Sequence, residues 1–270
     1  MAKYPDLAGK VAIVTGAALN TGYDIADAFA EQRARVLLVD ILQEAGELAT
    51  QEIAARGGDV AFQHADVGSA DDIAAMVQRA VDLFGRVDVV INNARDKSIP
   101  NVPVADLDPA DWDRTYAILI RSHFLAAKYA IPAMIANSGG TIIGISSVQG
   151  RGVSPSFPAY CSAKAAVDHL MRQIAYEYGP HGIRANAIAP GGIWSTSTLE
   201  EMQRHPDQAA KWRALHPVGR VVTGRDIANV ALFLASEVSA TITGQSIVVD
   251  GGYTLPLPDQ AMDRVLRSTR

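Results

Sequence analysis

Val11-Ala12-Ile13-Val14-Thr15-Gly16-Ala17-Ala18-Leu19-Asn20-Thr21-Gly22 is an apolar, partly β-branched run that breaks into a glycine-bounded turn and leads into a helical pattern. A run this continuously apolar suits a strand buried on both faces. Glycine at the turn lets the backbone reverse tightly, and the helix behind it offers unpaired N–H groups at its start. Six similar runs follow: Val36–Asp40, Val60–His64, Val87–Asn92, Thr141–Ser146, Ile183–Ala189 and Ser246–Asp250. The segments between them carry helical spacing. Ile73, Met76, Val77, Ala80, Val81 and Phe84 fall at steps of three and four. This alternation predicts an α/β fold: a Rossmann-like, doubly wound, parallel seven-stranded sheet with helices on both faces, in a single domain.

Local signals punctuate the helices. Ser69 with Asp72, and Thr223 with Asp226, read as capping boxes, and Asp108-Pro109 as an N-cap and first helical residue. The catalytic unit is expected to span 1–256. Within it, residues 194–220 are polar, carry Trp194, His205, Trp212 and His216, and are read as a segment covering a substrate. Residues 257–270 form a tail that packs on a neighbouring surface or frays.

Composition excludes several classes. Of 270 residues, 49% are hydrophobic, so the chain can fill a large core and is not disordered over most of its length. The apolar stretch from Phe124 to Ala136 is broken by Lys128 and Pro132, which argues against a membrane span. The start of the chain shows no secretory pattern. A lone cysteine, Cys161, cannot form an internal disulfide, which suits a reducing, cytoplasmic setting. A net charge of −5 with dispersed basic residues argues against a nucleic-acid partner, and no His/Cys/Asp cluster has metal-ligand spacing.

In a doubly wound sheet the strand ends face the ligand crevice. The turn Gly16, Leu19, Asn20, Thr21, Gly22 is therefore expected to meet a dinucleotide pyrophosphate, or else to be an ordinary strand–helix turn. Asp40 ends the second run 18 residues beyond Gly22, near the distance at which an acidic residue takes ribose hydroxyls. It would repel a 2′-phosphate, and Leu19 and Ile41 beside it supply no cation, so NAD is expected over NADP. The other reading of Asp40 is a helix cap. Asp66, followed by Val67, is placed to hold the adenine amino edge.

Tyr160 and Lys164 stand four residues apart, on one helix face. A nearby cation favours phenolate, so the Tyr160 pKa is expected to fall towards neutrality, fitting it to exchange a proton with an alcohol or carbonyl. Ser147 follows the fifth strand and can reach the same substrate oxygen. A solvated surface pair is the other reading of Tyr160 and Lys164.

Taken together these residues resemble the classical short-chain dehydrogenase/reductase family, from about Leu7 to Tyr253. The pieces stand in the family's order: the 15–22 turn, Asp66-Val67, Asn92-Asn93-Ala94, Ser147, Tyr160 with Lys164, Ile183-Arg184-Ala185-Asn186, Pro190-Gly191, Thr243-Gly244-Gln245 and Val249-Asp250-Gly251-Gly252. The resemblance implies that Tyr160 is the acid/base and that Lys164 lowers its pKa and holds the nicotinamide ribose. It gives Ser147 the substrate oxygen, and places Asn93 and Ala94 beneath the cofactor. It implies that Pro190, Gly191, the Ile193 backbone and the hydroxyl of Ser195 or Thr196 grip the carboxamide. It further implies an NAD-dependent oxidoreductase that converts a secondary alcohol (a sugar, cyclic alcohol or dihydrodiol) to a ketone or lactone. A homotetramer would use the helices about 109–137 and 157–179, and the C-terminal strand, as interfaces. The rival readings are an NADPH-dependent carbonyl or 3-oxoacyl reductase, and a dinucleotide-binding regulatory protein with little activity.

Three positions depart from the family pattern. Asn20 replaces a glycine, and asparagine tolerates left-handed backbone. Arg95 replaces the glycine after Asn-Asn-Ala. It is read either as a contact for cofactor phosphates or an anionic substrate, or as a solvated side chain. Arg151 is a second cation expected on the substrate side. Leu119 falls where the family has its relay asparagine, and Thr115 and His123 lie one turn either side of it. The family's water cannot bind leucine.

Overall fold

The computed structural model describes residues 3–194 and 196–256; the 257–270 tail lies outside them. Chain order is β1 (Val11–Thr15), α1 (Asn20–Glu31), β2 (Arg35–Asp40), α2 (Gln43–Ala55), β3 (Asp59–His64), α3 (Ala70–Phe84) and β4 (Val89–Asn92). Next come α4 (Pro109–Tyr116), a π turn (Ala117–Arg121) and α5 (Ser122–Ala136), which form one continuous 28-residue helix. The chain ends with β5 (Gly140–Ile145), α6 (Pro158–Tyr178), β6 (Ile183–Pro190), β7 (Ile193–Trp194), α7 (Thr196–Arg204), α8 (Pro206–Ala214), β8 (Val222–Thr223), α9 (Gly224–Ala235) and β9 (Ser246–Val249).

Seven strands form one parallel sheet in the order β3-β2-β1-β4-β5-β6-β9. The chain runs outward from β1 to β3, then crosses back to β4 beside β1. That reversal leaves a crevice above the ends of β1 and β4. Both faces are covered. Val90, Ile142 and Ala185 pack with α3, α5 and α6 on one side; Val14, Ile91 and Ile143 pack with α1, α2 and α9 on the other. Full burial of each such side chain contributes about 1.5–3 kcal/mol. The buried carboxylate of Asp88, just before β4, ties the far end of the sheet by accepting from the Val11 N–H (2.9 Å) and from Arg86 (2.6 and 2.8 Å).

The capping signals hold at Asp108, which accepts from the Ala110 N–H, and at Thr223 with Asp226, which form the full box. Ser69 forms only half a box, because Asp72 turns its other oxygen to the Asp66 N–H. The pair β7–β8 is an addition to the predicted sheet. The helix Pro109–Ala136 is long and apolar enough to cross a bilayer by composition, yet 56% of its most apolar window is buried, as in a core helix.

Candidate active site

One long cleft runs over the crevice, and the glycine turn forms one wall. Gly22 belongs there for a steric reason: a Cβ would stand 1.9 Å from the Gly16 carbonyl oxygen and 2.7 Å from Asn93 Nδ2. Asn20 takes φ +53°, the left-handed backbone its side chain tolerates. Asn93 fastens the turn to β4, donating from Nδ2 to the carbonyls of Thr15 (3.0 Å) and Gly16 (3.1 Å). The first turn of α1 has no side-chain cap, and Leu19, Asn20, Thr21 and Gly22 line the cleft. Such a helix start suits a diphosphate.

Asp40, at the end of β2, lines the cleft and braces the backbone on both sides of it. Its Oδ2 accepts from the Ala18 N–H (2.9 Å) and its Oδ1 from the Leu42 N–H (3.0 Å), the residue just before α2. A carboxylate has about four acceptor positions, so it still has room for ribose hydroxyls. Around it Leu19, Ile41 and Leu42 are about half exposed and give that end of the cleft an apolar rim. Asp66 and Val67 also line the cleft. Burial raises the Asp66 pKa, but hydrogen bonds from Arg114 (3.0 and 3.3 Å) and the Gly68 N–H (2.7 Å) outweigh it and hold the carboxyl below its ordinary range. Arg114 also lies 3.8 Å from Asp96, linking Asp66 to the 95–101 loop.

Further along, Ser147, Tyr160 and Lys164 line the same cleft, with Ala94, Pro190, Gly191 and Ile193. Ser147 Oγ accepts from the Gln149 N–H (3.1 Å), which leaves its proton for Tyr160. Lys164 is 3% exposed and donates from Nζ to the Ile145 carbonyl (2.5 Å), and its ammonium stands 5.7 Å from the Tyr160 ring centre. This corrects the expectation of a phenol made acidic by Lys164. Burial is the largest influence and pushes the phenol above its usual range. The Arg95 guanidinium, 5.0 Å from the ring centre, and the Ser147 hydroxyl oppose it. Burial, and then Arg95, push Lys164 down to about 7, against a partial counterweight from Asp168.

Arg95 lines both this cleft and a smaller inner pocket formed by Thr115, Ile118, Leu119, Phe157 and Tyr160. Arg151 is not in the cleft: it donates to the Ser246 carbonyl (2.6 Å) and lies 3.9 Å from Asp168, on the outer side of α6. Trp194 is also displaced from the expected place. It is held in β7 with the Arg213 guanidinium 5.8 Å from its ring, whereas Trp212, from the same expected covering segment, does line the cleft. His216 is buried and donates from Nδ1 to the Trp212 carbonyl (2.7 Å). Ser195 and the Thr196 side chain lie outside the described residues. Sequence reasoning missed Leu42, Arg114, Gln149, Gly192 and Tyr253 in the cleft wall. Only Leu42, beside Asp40, had a local signal. Among the described residues no group of three His, Cys, Asp or Glu could hold a metal ion.

Residues 16–254 match a family model described as enoyl-(acyl carrier protein) reductase. The chain is 37% identical over 254 residues to trans-4-hydroxycyclohexanecarboxylate dehydrogenase of Sinomonas cyclohexanicum, covering 92% of this chain and 94% of that one. It is 35% identical over 251 residues to 2-(S)-hydroxypropyl-CoM dehydrogenase 3 of Xanthobacter autotrophicus, covering 92% and 98%. Among solved structures it resembles a 7α-hydroxysteroid dehydrogenase complexed with NADH and 7-oxo glycochenodeoxycholic acid. The TM-score is 0.85 at 33% identity, with 93% of this chain and 98% of that chain covered.

Proposed function

The chain belongs to the classical short-chain dehydrogenase/reductase family, and from that premise we propose that this oxidoreductase is an NAD-dependent dehydrogenase interconverting a secondary alcohol and its ketone or lactone. One observation carries the reading: Ser147, Tyr160 and Lys164 share a cleft with the uncapped start of α1 and with Asp40. Bound NAD would supply the hydride acceptor. Gly16 to Gly22 would hold its diphosphate, Asp40 its adenosine ribose, Asp66 and Val67 its adenine, and Asn93, Ala94, Pro190, Gly191 and Ile193 its nicotinamide half. The Ser147 hydroxyl orients the substrate oxygen. Phenolate at Tyr160 takes the hydroxyl proton as the hydride leaves carbon; in reduction the phenol returns it. The Arg95 guanidinium and the Ser147 hydroxyl favour the phenolate against burial, and Lys164 would hold the nicotinamide ribose. The rest of the protein's contribution is position.

The substrate we propose is a cyclic alcohol, sugar or dihydrodiol bearing an acid group. Arg95 supports this, since a guanidinium binds carboxylate bidentately and no ion pair joins Arg95 to another described residue. Two relatives act on, or are bound to, compounds whose names include a carboxylate or an acid. The same reading takes residues 1–256 as one catalytic unit, with 194–220 over the substrate, in a cytoplasmic homotetramer. Phe124, Ile135 and Tyr176, exposed on α5 and α6, support the interface.

The test is a panel of secondary alcohols followed by NADH formation, with Tyr160→Phe as control. Activity on at least one alcohol with NAD, lost in Tyr160→Phe, is expected. NADH binding with no turnover across the panel would defeat the proposal. Arg95→Ala should raise KM for a hydroxy acid tenfold or more while leaving KM for its methyl ester unchanged.

A further inference from the structure

Two aromatic rings in the cleft wall take no part in the chemistry above: Trp212 of α8 and Tyr253, four residues beyond the end of β9. Trp212 is 39% exposed and lines the cleft, so it presents apolar ring surface of the kind that ligand pockets use. A glycine lets it lie close to the backbone. A Cβ on Gly192 would stand 3.3 Å from Trp212 Cζ3 and 3.9 Å from its Cη2, so the six-membered ring of the indole lies against the chain next to Gly191.

Both rings meet one buried residue. The last carbonyls of a helix have no partner within it. At the end of α8 the Lys211 and Arg213 carbonyls accept from the Leu215 N–H, and the Trp212 carbonyl accepts from His216 Nδ1 at 2.7 Å. The His216 ring is 2% exposed and stacks on Tyr253, with ring centres 5.3 Å apart and planes inclined by 25°. Its Nε2 has no partner among the described residues. An apolar side chain would fill this space without leaving a bare nitrogen. What histidine adds is the bond to the Trp212 carbonyl, combined with a flat ring for Tyr253.

The loop that carries Tyr253 is fixed as well. The Asp250 carboxylate accepts from the Gly252 N–H (2.8 Å), the Thr254 N–H (2.9 Å) and the Thr254 hydroxyl (2.6 Å). The Gly251 carbonyl accepts from the Val218 N–H (3.2 Å). A Cβ on Gly251 would meet Val218 Cγ2 at 2.9 Å, and one on Gly252 would meet Pro217 Cγ at 2.9 Å. The 216–218 stretch and the loop after β9 therefore pack as one unit. Trp212, just before that stretch, and Tyr253, on that loop, each bring a ring to the cleft.

We propose that Trp212 and Tyr253 are specificity-determining residues that select a substrate with a saturated ring, and that His216 is the positioning residue for both. The face of an aromatic ring carries partial negative charge and attracts C–H bonds pointed at it. A saturated carbocycle or sugar offers a flat set of such bonds. It also loses less conformational freedom than an open-chain alcohol when pressed against a wall. In the reading above Gly191 belongs to the nicotinamide half of the cleft, so the ring that Trp212 receives bears or adjoins the reacting carbon. That placement rests on the dehydrogenase reading; the preference for a ring does not.

Two experiments test these parts separately. The first involves no turnover. Cyclohexanecarboxylate and heptanoate share a carboxylate and a carbon count and differ in the ring. Isothermal titration, with and without NADH, should show the cyclic acid binding about fivefold tighter. Trp212→Ala should close that gap and Trp212→Phe should keep most of it. His216→Phe, which loses the bond to the Trp212 carbonyl, should narrow the gap; His216→Asn, whose amide can still donate there, should restore part of it. Equal affinities in the wild type, no binding of the cyclic acid, or an unchanged gap in Trp212→Ala overturns the selection. A wild-type gap in His216→Phe overturns the role of His216. Trp212 is partly exposed, so its variants decide the selection even if His216→Phe does not fold. The second experiment is oxidation of cyclohexanol against 2-hexanol. The ratio of their kcat/KM values should fall about tenfold in Trp212→Ala and about threefold in Tyr253→Leu, mainly through KM. Equal losses on both alcohols would mark the two rings as structural and overturn the proposal. If no alcohol were oxidised, or Tyr160→Phe remained active, the dehydrogenase reading would fail while the titration result stood.

Discussion

Asp40→Asn separates cofactor choice from folding in a single substitution. The carboxylate already accepts from two backbone N–H groups, Ala18 and Leu42, through different oxygens. An amide has one acceptor oxygen, so one of those bonds is lost. A net loss of about 1 kcal/mol is expected, and a melting point lower by about 2–4 °C. The effect on NADH is larger. A hydrogen bond from a ribose hydroxyl to a charged acceptor contributes about 1.5–3 kcal/mol, so NADH affinity should fall roughly ten- to a hundredfold. For NADPH the sign reverses. A 2′-phosphate charge at roughly 4 Å from the carboxylate is opposed by about 1 kcal/mol in water and about 4 kcal/mol at an effective dielectric of 20. Asp40 is partly exposed, which favours the lower figure. The ratio of NADH to NADPH affinity should therefore fall by roughly two orders of magnitude. Tryptophan fluorescence reads both titrations, since Trp212 lines the cleft. If the ratio moved less than threefold in a folded Asp40→Asn protein, the assignment of Asp40 to the ribose would be wrong.

Gly22→Ala should cut NADH affinity at least a hundredfold by preventing closure of the turn, because the new methyl group meets the Gly16 carbonyl at 1.9 Å; isothermal titration checks this. Arg151→Ala should leave KM within twofold for every substrate and act only on melting, since its partners are Ser246 and Asp168. Lys164 gives a stability signature in the free protein. Its folded pKa, about 7, lies below its unfolded value, so between about pH 7 and 10 the unfolded chain binds the extra proton and stability rises with pH. Lys164→Met should remove that rise in thermal melts from pH 6 to 9, and a parallel pH dependence in both proteins would refute it.

The sheet was legible because its strands are buried on both faces, which leaves continuous runs such as Val36–Val39 in the sequence. β7 and β8 were not, since two residues each carry no pattern. The π turn at Ala117–Arg121 is set by packing and has no composition of its own. Asp40, next to a strand end, could be placed by counting, and Asn93 by the family resemblance. Arg114 on Asp66 and Arg151 on Asp168 could not, because each partner arrives from a distant part of the chain. The Tyr160 ionisation was misjudged because spacing reports the neighbouring charge but not the burial, which is the larger influence.

The last strand of the sheet to be made, β9, lies against β6. There Ala187 donates to the Gln245 carbonyl and Ala185 to the Thr243 hydroxyl. On the ribosome this edge of β6 stays bare until Ser246–Val249 has emerged, so for several seconds at ordinary elongation speeds an apolar strand offers unpaired backbone groups to its surroundings. A chain cut anywhere between β6 and β9 would carry that open edge and be prone to mispairing through it.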